Sequence, residues 1–103
     1  MTITFKVDPG SNSNYFAALV EFENGDGNVG GADLKQALDS DTWLPMQQSW
    51  GAVWKLDTGA TLRAPFSIRL KSGQSGSTIV ANNVIPAGWQ AGQTYRSYVN
   101  FGN

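Results

Sequence analysis

The chain has no cysteine and no histidine. The first absence leaves stability to packing alone and removes thiolate chemistry. The second removes the commonest general base, the commonest metal ligand and any Ser-His or Cys-His nucleophile. Charge is sparse as well: 15% of 103 residues are charged, with a formal net charge of -1. No strong field favours a nucleic acid or an anionic membrane, and neither is expected as a partner. Residues 58–103 contain no acid at all, because all eight acids lie in residues 1–57. No apolar run approaches the length that spans a bilayer.

What is present is a two-residue alternation. Ile3, Phe5 and Val7 fall on one side of residues 2–7, and Thr2, Thr4 and Lys6 on the other. Residues 15–23 alternate Phe16, Ala18, Val20 and Phe22 with Tyr15, Ala17, Leu19, Glu21 and Glu23. Phe66, Ile68 and Leu70 alternate with Ser67, Arg69 and Lys71. Such alternation marks strands with one face in a core. Residues 32–38 read as a strand with Leu34 inward or as one helical turn, and lean to strand because their neighbours are strands; residues 78–85 form a strand that stops at Pro86, and residues 94–101 form the last. Turn-forming clusters separate them at Asp8 to Asn14, in the glycine-rich loop over residues 24–31, at 39–42, at 58–61 and at 72–77. Seven or eight short strands without a convincing helix predict an all-β, two-sheet antiparallel sandwich. Its length fits one domain over residues 1–103.

The unusual chemistry is concentrated in residues 43–55, which hold three of the four tryptophans. Leu44 and Met46 before Gln47-Gln48-Ser49 and Gly51, then Val53, Trp54 and Leu56 after, read as two strands joined by a turn. A tryptophan beside a turn glycine is poorly placed to fill a core. Trp50 is therefore the leading candidate for a functional residue, with the outward-pointing Tyr15 beside it. Sugar rings carry hydroxyls at the equator and C–H groups on their faces. A flat aromatic ring removes apolar area from water without stranding those hydroxyls. The competing reading makes both rings ordinary sandwich aromatics. Trp43, Trp54 and Trp89 fit that reading better, Trp54 in the core and Trp89 as a cap on the end of the sandwich.

Catalysis and metals find little support. A glycosidase needs two carboxylates across a cleft, whereas Glu21 with Glu23, and Asp39 with Asp41, read as solvated charges. The loop Asn24-Gly25-Asp26-Gly27-Asn28 begins like a calcium loop but lacks the downstream glutamate. No cofactor and no metal are expected. No Asn-x-Ser/Thr sequon occurs, so no N-glycan is expected.

From Thr4 to Phe101 the chain resembles the C-terminal domain of plant β-expansins, including the group 1 grass pollen allergens. The matching stretches include Tyr15-Phe16-Ala17-Ala18-Leu19-Val20-Glu21, Trp43-Leu44-Pro45-Met46, and Ser49-Trp50-Gly51-Ala52-Val53-Trp54-Lys55-Leu56-Asp57. Ala64-Pro65-Phe66-Ser67-Ile68-Arg69-Leu70 and Val84-Ile85-Pro86-Ala87-Gly88-Trp89 continue the match. The resemblance implies an immunoglobulin-like sandwich that binds plant cell-wall polysaccharide, cellulose or matrix glucuronoarabinoxylan, without hydrolysing it. It implies a surface built on Trp50 and Tyr15, with Asn12, Ser49 and Lys55 as polar support. Lys55 and other exposed bases could also meet acidic sugars of matrix polymers. Group 2 and 3 pollen allergens share the fold but lack the Ser-Trp-Gly tryptophan that this chain keeps. The resemblance further implies an N-terminal expansin domain as a partner in the full-length protein, and secretion to the wall. No signal peptide opens the sequence, which fits a trimmed mature fragment with Met1 added. The alternative reading is an immunoglobulin-like protein-interaction domain with Trp50 as a hot spot.

Overall fold

A computed structural model describes residues 2–21, 29–37, 42–73 and 76–100, with the backbone alone at Trp50. Nine strands are present among the described residues, and no helix. In chain order they are β1 (Thr4–Val7), β2 (Tyr15–Glu21), β3 (Val29–Lys35), β4 (Leu44–Pro45) and β5 (Gln47–Trp50). They continue with β6 (Val53–Asp57), β7 (Phe66–Ser72), β8 (Thr78–Ile85) and β9 (Thr94–Arg96). They form two antiparallel sheets, one ordered β5-β6-β2-β1-β9 and the other β4-β3-β7-β8. This is the expected immunoglobulin-like sandwich.

The alternation in the sequence sets the core. Ile3, Phe5, Val7, Phe16, Ala18, Val20, Trp54 and Leu56 turn inward from the five-stranded sheet. Ala32, Leu34, Phe66, Ile68, Leu70, Ala81 and Ile85 meet them from the four-stranded sheet. Phe16 stands edge-on to Phe66 and to Trp89, with ring centroids 5.3 and 5.5 Å apart. Trp89 thus caps one end of the sandwich from its loop, as expected. The expected core position Phe22 lies outside the described residues, as do Glu23, Asp39 and Asp41 and the calcium-like stretch 24–28.

Several local expectations are corrected. Residues 44–46 do not pair with residues 53–56. Leu44 and Pro45 join the four-stranded sheet, opposite Leu34 and Asp33. The strand facing β6 is β5, which occupies the stretch read as the turn. The polar residues there do not disqualify it, because β5 is an edge strand and its Gln47, Gln48 and Ser49 side chains are exposed. Val29, Gly30 and Gly31 are strand rather than loop. Gly30 suits this close approach: a Cβ there would lie 2.8 Å from Gly73 Cα. Ser67 and Ala17 lie on outward faces yet are buried, not exposed. Ser67 Oγ accepts the Asn83 N–H at 2.9 Å, and Ser11 Oγ closes over Ala17, accepting its N–H and donating to its carbonyl. The last strand ends at Arg96, short of the expected residue 101.

Candidate functional site

Three cross-strand rows make up the β2–β6–β5 part of the outward face of the five-stranded sheet. Tyr15 lies opposite Asp57. Two residues along, Ala17 lies opposite Lys55, and Lys55 opposite Gln47. Two further along, Leu19 pairs with Val53 on one side and Lys6 on the other, and Val53 pairs with Trp50. Directly opposed residues share a sheet face, and Tyr15 and Lys55 are diagonal neighbours at about 7–8 Å. Four residues of strand and two strand spacings separate Tyr15 from register position 50, about 16 Å between Cα atoms.

Two local devices hold this arrangement. The first is the β5–β6 turn. Only Gly51 and Ala52 lie between the paired Trp50 and Val53, and Gly51 has φ of 52° while Ala52 does not enter the left-handed region. Positive φ at the first loop position alone is the pattern of a type II′ hairpin turn, and glycine takes it without steric cost. Gln48 Nε2 donates to the Gly51 carbonyl at 2.6 Å and braces the turn. A register shift between Gln48 and Trp50 sets position 50 in the row of Val53, the outward row. Without that bulge the pairing of Gln48 with Trp54 would carry on two by two to an inward row.

The second device is the loop before β2. Asp8 Oδ2 accepts the Gly10 N–H and the Asp8 carbonyl accepts the Ser11 N–H. Asn12 and Tyr15 exchange backbone hydrogen bonds at 2.8 and 3.2 Å, and Asn12 Oδ1 accepts the Asn14 N–H at 2.8 Å. Half of the Asn12 amide is thus spent on its own turn, an Asx arrangement. Its Nδ2 has no partner among the described residues.

Of the five residues expected from sequence, Tyr15 and Lys55 are half-buried on this face, and Asn12 is exposed at its end. Ser49 is exposed on the edge strand, within the register shift. Position 50 holds the register described above, and the Trp50 side chain lies outside the described part of the structure. Lys6, Leu19 and Val53 were not candidates. Together with Val7, Asp8 and Pro9 they line a shallow, mostly apolar depression on the same face. The signal was present: Leu19 falls on the Tyr15 side of an alternating strand, where a bulky apolar side chain has no core to fill. Among the described residues no cluster of acids could hold a metal ion.

The remaining tryptophans are accounted for on the other side. Trp54 is 6% exposed, and its Nε1 finds no acceptor among the described residues. Trp43 lies over the four-stranded sheet, where Arg69 and Lys35 approach its ring at 4.6 and 5.1 Å. Arg69 also pairs with Asp33 at 3.1 Å.

The sequence and the fold coincide with a known family. Residues 3–86 match the profile of the expansin C-terminal domain. The chain belongs to that family. It is 64% identical over 100 residues to expansin-B2 of Arabidopsis thaliana, covering 97% of this chain and 37% of the relative. It is 52% identical over 103 residues to expansin-B11 of Oryza sativa subsp. japonica, covering 98% of this chain and 34% of that protein. The expansin chain therefore spans little more than a third of the length of these curated relatives. Among solved structures, the crystal structure of a variant Clavibacter michiganensis expansin in complex with cellohexaose superposes with a TM-score of 0.76 at 16% identity. The match covers 100% of this chain and 46% of that one. At this identity the likeness speaks to the fold.

Proposed function

We propose that residues 1–103 are a single non-catalytic domain that binds plant cell-wall polysaccharide. The site is the outward face of the five-stranded sheet, carrying Tyr15, Lys55 and register position 50, with Asn12 and Ser49 at its margins. The observation behind this reading is the register. It supports the reading because Tyr15 and register position 50 fall in rows of the same sheet face, with Leu19, Val53 and Lys55 in the rows between and beside them. An extended polysaccharide can lie across such a face, its C–H surfaces against aromatic and aliphatic groups and its hydroxyls free to reach Lys55 and Asn12. Membership of the expansins and the cellohexaose complex of the C. michiganensis protein support the same ligand class.

Hydrolysis is not part of the proposal. Histidine is absent from the chain, and residues 58–103 supply no acid to sit across a cleft from Glu21 or Asp57. The relatives' greater length supports a preceding expansin domain as partner in the whole protein, and the family supports an extracellular, wall-bound location.

The test is a binding isotherm on insoluble cellulose and on arabinoxylan for the parent, Trp50→Ala and Tyr15→Ala, with a melting curve for each. Trp50→Ala should weaken binding strongly and leave melting nearly unchanged, as surface substitutions usually cost no more than about 0.5 kcal/mol. Tyr15→Ala should weaken it less, its ring being smaller. No reducing ends should be released from either polymer. Unchanged binding in Trp50→Ala, or a melting point far below the parent, refutes the platform. Capture of a protein instead of polysaccharide by this face would favour the interaction-domain reading.

A further inference from the structure

A second aromatic surface lies on the open edge of the sandwich, away from the face just described. Tyr98 is 92% exposed, the only large hydrophobic residue so exposed among the described residues. It stands beside a groove of about 290 Å³ between the edge strand β8 and the segment that follows β9. Asn82, Asn83, Arg96, Ser97 and Tyr98 line it, with Val80, Val84 and Val99 supplying apolar wall. That volume lies just below the roughly 300–1,000 Å³ of ligand pockets, which suits only a short ligand.

Both sides of the groove are shaped for display. On one side, Ser97 N–H and Ser97 Oγ donate to the Ile3 carbonyl at 2.9 and 2.7 Å. Ile3 N–H donates to the Val99 carbonyl at 3.0 Å. The residues before and after Tyr98 are thus tied to the same residue, Ile3, just before β1, and Tyr98 between them is exposed. Its backbone is fixed before any ligand arrives. On the other side, the β7–β8 register slips between Phe66 and Ile68, so that Asn82 and Asn83 fall in a bulge. Asn83 has φ of 50°, the only non-glycine residue in the left-handed region among the described residues. Its N–H is held by the buried Ser67 Oγ. Bulges at sheet edges re-aim side chains, and asparagine tolerates this backbone better than most residues. The side-chain amides of Asn82 and Asn83 and the Tyr98 hydroxyl have no partner among the described residues.

We infer that this edge groove is a second carbohydrate site, which takes a short neutral sugar unit such as a chain end or a side branch. A flat ring, two primary amides and the unpaired backbone groups of an edge strand match the amphipathic chemistry of a sugar ring. A protein partner would need a contiguous apolar patch at the centre of its footprint. One exposed aromatic and three partly buried valines, set among amides, do not offer that. The inference rests on the reading of the chain as a polysaccharide binder, and it concerns different residues.

The experiment is a ¹H–¹⁵N titration of the labelled 103-residue chain with cellotriose and, separately, xylotriose. Saturable shifts are expected at residues 82, 83 and 97–99 with at least one of the two. Trp50→Ala should retain them. Tyr98→Ala should weaken the affinity read from these shifts about tenfold, the loss of roughly half a ring face of apolar contact. Asn82→Ala, at an exposed position, provides a second variant with the same expected direction. The platform reading is tested by Trp50→Ala on insoluble polymer, so either site can fail without the other. Shifts confined to residues 15–19 and 53–55, no saturable shift with either sugar, or unchanged affinity in Tyr98→Ala would overturn the inference. So would shifts at residues 82–99 that follow protein concentration rather than sugar, which would mark contact between copies.

Discussion

Replacing Trp54 tests the division between core and surface tryptophans on which the functional reading depends. Trp54 is 6% exposed and borders the same core space as Phe5, Ala18, Val20, Ala32, Met46, Ile68 and Leu70. A buried aromatic of this size carries about 150–250 Å². At about 25 cal/mol per Å² that is worth roughly 4–6 kcal/mol, and core Phe or Trp→Ala changes cost about 3–5 kcal/mol. Such a loss is a large part of the roughly 5–15 kcal/mol that holds a domain folded. At about 4–8 °C per kcal/mol, Trp54→Ala should melt at least about 12 °C below the parent. Trp54→Phe should behave differently. It removes ring area, but it also removes an Nε1–H buried without an acceptor among the described residues, and such a group costs about 1–3 kcal/mol. The two terms oppose each other, and a net loss of no more than about 2 kcal/mol is expected. Urea midpoints and melting curves for both variants measure this. Equal losses in Trp54→Phe and Trp54→Ala would refute the orphan-donor argument. A loss below about 1 kcal/mol in Trp54→Ala would refute the core assignment itself.

Two further outcomes follow from the same geometry. Gly51→Val places a β-branched side chain at φ of 52°, so it should destabilise the hairpin by about 1–2 kcal/mol or more, and polysaccharide binding should fall because position 50 is displaced; urea titration and a binding isotherm check both. Arg69→Ala removes the ion pair with Asp33 and one cation over Trp43, but the pair's side chains are 36% and 28% exposed, so stability should fall by only about 1 kcal/mol and binding should not change.

The strands were legible wherever one face had to be buried. Phe16, Ala18 and Val20, or Phe66, Ile68 and Leu70, repeat every second residue because the pleat of a strand does. Tyr15 and Lys55 were legible for the complementary reason, as a ring and a charge on the side the core does not need. Residues 44–50 were not. Two short strands there go to different sheets, and neither carries a pattern of its own, because edge strands have half their surface in water. Tyr98 was counted within a final strand that ends two residues earlier, so its exposure could not be read from sequence spacing.

The sequence by itself determined the all-β class, most of the inward residues and the outward placement of Tyr15 and Lys55. Each follows from a two-residue period or from the nature of a single side chain. Only the tertiary structure decided which strands are neighbours, that a bulge sets position 50 in the outward row, and that a second bulge brings Asn82 and Asn83 beside Tyr98. Those juxtapositions join residues far apart in the chain. They depend on register, and a shift of one residue in register moves a side chain to the opposite face without altering the local pattern that encoded the strand.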